Sequence, residues 1–225
     1  SFFKKQKKKI LKDFFEIFKK FSNYNDETSF IDIGTTPSTS DDQNIFLQNL
    51  KNHKNVTCLS NQDCSILKEE FPNIKNFIIS DGRSNNISEN SYSSSILQIL
   101  PNHIEAAPQS RYISKERISI KRLDGLREIN IEKLNKIFLK IDTQGYEEQV
   151  LIGAKDILDK VEGIQIELSL QPLYEGQSLF TELYEKLKKL NYSLWDLRTG
   201  FKNIKTGQIY QVDGIFFKNL KLKNE

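Results

Sequence analysis

Apolar residues in this chain gather in short runs separated by longer polar or amphipathic stretches. Ser29-Phe30-Ile31-Asp32-Ile33-Gly34, Val56-Thr57-Cys58-Leu59-Ser60 and Phe77-Ile78-Ile79-Ser80-Asp81-Gly82 have the length and flanking residues of buried strands. Ile137-Phe138-Leu139-Lys140-Ile141-Asp142 and Gly163-Ile164-Gln165-Ile166-Glu167-Leu168 repeat that pattern further along. Between the runs the apolar period lengthens to that of a helix. Ile45, Phe46, Leu47 and Leu50 predict one helix, and Asp63 to Phe71, stopped by Pro72, predicts another. Tyr146, Val150, Leu151, Ala154, Ile157 and Leu158 form a third stripe, and Leu179 to Leu190 a fourth.

Strands alternating with helices predict an α/β domain: a mostly parallel sheet with helices on both faces, a three-layer sandwich. The alternation breaks at the end. Tyr192–Leu197 and Gln208–Phe217 read as a hairpin turning at Lys205-Thr206-Gly207, so one strand runs antiparallel. Ile118 to Leu123 alternates with period two and leads into a short helix. Residues 83–112, rich in Ser and Asn and carrying Pro101 and Pro108, predict an irregular, lid-like segment. No linker divides residues 28–225, which we take as one domain.

Residues 1–27 precede it as a basic amphipathic helix. Ile10, Phe14, Phe18 and Phe21 fall on one stripe, and Lys4, Lys5, Lys7, Lys8, Lys9, Lys19 and Lys20 are polar-face residues. Such a helix packs its Phe stripe on the domain or lies on an anionic membrane surface. The net charge of +3 is too small to argue for a nucleic-acid partner. No run approaches the length of a membrane helix, and no secretory leader is visible. The absence of methionine even at position 1 suggests that Ser1 is not the natural first residue. The two cysteines, Cys58 and Cys64, stand at no zinc or redox spacing, which points weakly to the cytoplasm.

Open α/β sheets bind ligands beyond the carboxyl ends of their strands, where the strand order reverses. The candidates on that rule are Asp32, Gly34, Ser60, Asn61, Asp81, Asp142 and Glu167. A core needs no acids, so several acids closing strands invite a chemical reading. Gly-x-Gly-x-x-Gly and Gly-Lys-Ser/Thr are both missing, which removes a dinucleotide or P-loop phosphate cradle. Asp142 either caps the helix that follows or deprotonates a hydroxyl nucleophile. Glu167 closes the next strand, and the two carboxylates together suit acid–base work, a metal, or ion pairs with Arg or Lys. His53 reads as a surface residue, while His103 lies within the lid-like segment, where a base could act.

Leu139-Lys140-Ile141-Asp142-Thr143-Gln144-Gly145-Tyr146-Glu147, followed by Val150-Leu151-Ile152-Gly153-Ala154, resembles the signature of FkbM-family methyltransferases. The likeness continues through Ile166-Glu167-Leu168-Ser169, Leu173-Tyr174-Glu175-Gly176-Gln177, Trp195-Asp196-Leu197 and Val212-Asp213-Gly214-Ile215-Phe216. It is specific over about residues 118–218. The resemblance implies a class I, Rossmann-like fold with a seven-stranded sheet whose last strand is antiparallel. S-adenosylmethionine is the implied cofactor, and the implied reaction is O-methylation of a sugar, glycan or secondary-metabolite hydroxyl, with no metal among the assigned site residues. On this reading Asp32, Gly34, Thr35, Ser60, Asn61, Asp81 and Asp142 line the cofactor, and Asp142 and Glu167 carry the chemistry. Two positions depart from the family pattern. Thr35-Thr36-Pro37-Ser38 replaces a looser cofactor loop, and Ser60 and Asn61 stand where the family places an acid for the ribose hydroxyls. Those departures make a degenerate, non-catalytic binding module the alternative.

Overall fold

The computed structural model describes residues 28–33, 56–60, 74–78, 82–90, 93–127, 130–134 and 136–219. Predicted features at 1–27, at 34–55 and at 61–73, including the lysine-rich helix and the helix capped by Asp63, lie outside them.

Among the described residues one sheet carries seven strands. They are β1 (Thr28–Ile33), β2 (Val56–Ser60), β3 (Ile74–Ile78), β6 (Lys136–Ile141), β7 (Val161–Ser169), β8 (Tyr192–Thr199) and β9 (Gln211–Lys218). Their order is β3-β2-β1-β6-β7-β9-β8. β1 pairs in parallel with both β2 and β6, while β9 is antiparallel to both its neighbours. The chain thus builds outward from β1 in one direction and from β6 in the other. The carboxyl ends of β1 and β6, after Ile33 and Ile141, mark the reversal point.

One face of this sheet is apolar. Ile31, Leu139, Ile141, Ile164, Ile166, Leu168 and Phe216 are all buried there with Leu151, Leu183 and Leu187. Leu151 comes from α2 (Glu147–Gly153), and Leu183 and Leu187 come one turn apart from α3 (Phe180–Lys189). The Glu182 carboxylate accepts a 2.7 Å bond from the Leu179 amide at the start of α3. Lys186, Lys188 and Lys189 sit in its last turn, where the helix dipole favours cations. The predicted stripe from Tyr146 to Leu158 is broken. After Gly153 it continues as a tighter 3-10 turn, Lys155–Lys160, which still buries Ile157 and Leu158.

The segment at 83–112 departs from the expectation of irregularity. β4 (Gly82–Ser88) pairs antiparallel with β5 (Tyr112–Ser119) as a separate two-stranded sheet, and α1 (Pro101–Ala106) lies between them. Asn86, Ser88, Ser93, Ser94, Ser95 and Ser110 are buried and hydrogen-bonded within the segment. Ser94 Oγ accepts from the Ser88 amide at 3.1 Å, Ser93 Oγ donates to Ser110 Oγ at 3.1 Å, and Asn86 Nδ2 donates to the Ser95 and Leu97 carbonyls at 3.1 Å each. A run of polar residues can fold inward when every donor finds an acceptor. A satellite core of Ile99, Ala106, Leu173, Tyr174 and Tyr210 fixes this layer to the main sheet.

On the sheet's other face, Phe138 and Phe217 flank Gly163 on neighbouring strands. A Cβ at Gly163 would lie 2.7 Å from Phe138 Cδ2 and 3.1 Å from Phe217 Cε1. Trp195 packs edge-on against Phe217, at 5.3 Å between ring centroids. It is the extra residue where the register of β8 slips between Leu194 and Asp196. Because Phe138 is fully buried and cannot yield, Gly163→Ala is expected to cost about 1–3 kcal/mol of stability, measured by urea unfolding.

Candidate active site

The loop after β6 carries most of the site. Asp142 follows the strand, Gln144 adopts a left-handed backbone at φ 54°, and Gly145 does the same at φ 98°. Glu147, the first residue of α2, folds back over this loop. Its Oε1 accepts from the Thr143 amide at 2.9 Å, the Thr143 hydroxyl at 3.1 Å and the Gly145 amide at 3.1 Å. Asp142 therefore does not cap the helix; Glu147 gathers the loop's orphan donors. Gly145 is pressed between Leu97 and Tyr174, each 3.1 Å from where a Cβ would stand.

Gln144 ties the site together. Its Nε2 donates to Asp142 Oδ1 and to Glu167 Oε2, both at 2.9 Å. Its Oε1 accepts from the Tyr174 hydroxyl at 2.8 Å, and its backbone carbonyl accepts from Ser95 Oγ at 2.6 Å. One amide thus links two candidate carboxyls to the satellite layer. Gln211 Nε2 donates a further 2.7 Å bond to Glu167 Oε2.

The surroundings of Glu167 are electronegative. Asp213 stands directly opposite it on β9, a like-charged cross-strand pair that is unfavourable when both ionise. Burial, then the neighbouring Asp142, Glu147 and Asp213, push the Glu167 carboxyl well above its ordinary value. Burial, then Asp142, lifts Asp213 to about 6. Burial lifts Glu147 to about 7 against the hydrogen bonds it accepts. Lys140, 3.5 Å from Asp142, opposes the rise at Glu167 and Asp213.

The remaining predicted residues divide into two groups. Asp32 lies in β1 in register with Lys140 of β6 and Cys58 of β2, and Ser60 closes β2 beside Ile78. Gly34, Thr35, Asn61 and Asp81 lie outside the described residues. His103 does not join the carboxyls. Buried between the rings of Tyr174 and Phe201, at 5.2 and 5.1 Å, it is pushed down to about 4 by burial. Gln144, Glu147, Tyr174 and Gln211 were not singled out from the sequence. Gln144, Glu147 and Tyr174 do stand inside the motifs quoted for the resemblance, and that was the available signal. Among the described residues no group of three or more His, Cys, Asp or Glu is arranged to hold a metal ion.

A sheet reversing between β1 and β6, with acids near the reversal, is a Rossmann-like α/β architecture. Residues 13–194 match the family model for the Methyltransferase FkbM domain, and the chain belongs to that family. The family is S-adenosylmethionine-dependent, and S-adenosylmethionine is the cofactor. No curated protein matches the chain. Solved structures with a similar fold include the magnesium protoporphyrin IX methyltransferase of Synechocystis PCC 6803, solved with S-adenosylmethionine bound. It is 7% identical with a TM-score of 0.48, over 94% of this chain and 79% of that one. The methyltransferase domain of a bacterial Hen1 is 11% identical with a TM-score of 0.45, over 94% and 98%. An uncharacterized Listeria monocytogenes protein is 8% identical with a TM-score of 0.46; this chain matches over 89% of its own length and spans 65% of that protein. Among the described residues no helix is long and apolar enough to cross a membrane.

The raised Glu147 carboxyl fixes a sign. The folded protein holds its proton up to about pH 7, whereas an unfolded glutamate releases it near 4.5. Stability contributed by the protonated group is therefore present below about 4.5 and is lost as pH rises toward 7. We expect Glu147→Gln, which keeps a carbonyl acceptor for the loop, to flatten that loss by on the order of 3 kcal/mol. Urea unfolding of both proteins at pH 5 and pH 8 reads the difference; parallel declines would contradict it.

Proposed function

We propose that the chain transfers a methyl group from S-adenosylmethionine to a hydroxyl of a sugar, glycan or secondary metabolite, in the cytoplasm. The observation that carries this reading is the Gln144 amide bonded to both Asp142 and Glu167 beside the reversal point. It holds two carboxyls side by side where a cofactor and an acceptor would meet.

The donor set fits the cofactor. Asp142, Glu167 and Asp213 outnumber the nearby cations Lys140 and Arg198, and after burial their mutual repulsion adds to the rise at Glu167. A ligand bearing an ammonium and a sulfonium relieves that repulsion. Asp32, Gly34, Thr35, Ser60, Asn61, Asp81 and Asp142 would hold it, with Ser60 and Asn61 meeting the ribose hydroxyls in place of an acid. Bound S-adenosylmethionine supplies an electrophilic methyl group on a positively charged sulfur.

The protein's share is to orient the acceptor hydroxyl in line and to take its proton. Glu167, lifted above the ordinary carboxyl range, has the basicity for that proton. Asp142, fixed by Gln144 and Lys140, aligns the acceptor beside it. Tyr174 and Ser95 hold Gln144 in its left-handed conformation and so keep both carboxyls in place.

On a hydroxylated acceptor, Glu167→Gln is expected to lower kcat by about 10²–10⁴. The wild-type rate should rise with pH as Glu167 loses its proton, and the variant should lose that rise. An unaltered profile in Glu167→Gln would remove Glu167 as the base. Calorimetric titration with S-adenosylhomocysteine is expected to give micromolar binding. Its absence in a folded sample would favour the non-catalytic binding module instead.

A further inference from the structure

A cleft of about 300 Å³ opens beside the Asp142–Tyr146 loop. Gly145 and Tyr146 form one wall, Glu148 and Gln149 of α2 continue it, and Ser178 faces them from the loop before α3. Leu97 of the satellite layer closes the end. The cleft thus lies against the carboxyl end of β6, on the flank built from β7 onward and away from β2 and β3.

We propose that this cleft seats the acceptor, and that Glu148, Gln149 and Ser178 select a neutral, polyhydroxylated ring such as a pyranose. The inference rests on the methyl-transfer reading above for the reaction, but not for the binding.

Two observations choose that class. First, the volume stands at the small end of ligand pockets and suits a single six-membered ring over a macrocycle. Second, the polar groups are those that pair with hydroxyls. Glu148 Oε1 takes a 2.6 Å bond from Lys186, and its Oε2 accepts from Ser178 Oγ. Lys186 and Ser178 hold this carboxyl below its ordinary value, so it remains an acceptor with lone pairs left for donors. Gln149 is exposed on the cleft wall and offers both a donor and an acceptor.

The same residues argue against other acceptors. An apolar metabolite would strip water from the Glu148 carboxylate without replacing its hydrogen bonds. An anionic acceptor would meet that carboxylate, because the charge of Lys186 is already engaged by it.

The test uses the full chain with methyl α-D-mannopyranoside and methyl β-D-glucopyranoside as probes, and cyclohexanol as the apolar control. Saturation-transfer NMR reads ring binding, and calorimetry with S-adenosylhomocysteine on the same samples reads the cofactor site. At least one glycoside is expected to bind, more tightly than cyclohexanol. Gln149→Trp, an exposed helix position filled into the cleft, should weaken that binding by at least about tenfold while leaving S-adenosylhomocysteine affinity unchanged. Ser178→Ala should weaken glycoside binding in the same direction. The proposal is overturned if a chain that binds S-adenosylhomocysteine binds neither glycoside. It is equally overturned if Gln149→Trp binds glycosides undiminished, or if cyclohexanol binds as tightly as they do. Glycoside binding by a chain that does not bind S-adenosylhomocysteine would uphold the cleft and overturn the methyl-transfer reading alone.

Discussion

Two buried or half-buried acids on adjacent strands repel each other, and this site adds a third beside them. What makes the arrangement tenable is one side-chain amide. Gln144 donates to Asp142 and Glu167 from the same nitrogen, while its oxygen and its carbonyl are claimed by Tyr174 and Ser95. A hydrogen bond inside protein is strong when made and costly when left open, so these four contacts support one another. The left-handed backbone at Gln144 is unfavourable in isolation and is held by the bonds to its side-chain amide and its carbonyl.

The satellite layer follows from the same requirement. β4, β5 and α1 contribute little to the main apolar core, yet they deliver Ser95 and Leu97 to the active-site loop. Tyr174 crosses between the two regions: its ring belongs to the satellite core, and its hydroxyl reaches Gln144. Organisation of the carboxyls is therefore coupled to the part of the chain that also closes the proposed acceptor cleft.

The strands of the main sheet were legible because each is a short apolar run, and the acids at their ends were legible because a core has no use for them. β1, β2, β6 and β7 lie where the pattern put them, to within a few residues. β4 was not legible. Arg83-Ser84-Asn85-Asn86 has no apolar alternation, and it becomes a strand only by pairing with β5 across a segment of buried serines. The break in the third helical stripe also escaped the pattern, since a 3-10 turn presents Ile157 and Leu158 to the same core. Within the site, Asp142 and Glu167 came from position alone. Gln144 and Tyr174 could not, because their roles depend on a left-handed turn and on a contact between residues thirty positions apart.

The slip at Trp195 has a bearing on how this protein behaves in a crowded cell. β8 is the outer strand of the seven-stranded sheet among the described residues, and an outer strand is where another chain could extend a sheet. An extra residue in the middle of that strand throws the hydrogen-bonding groups on either side out of phase. An incoming strand would find the first half in step and the second out of step. Trp195 packs against Phe217 at this bulge, so one indole lies where the sheet's edge changes phase and covers part of its flank.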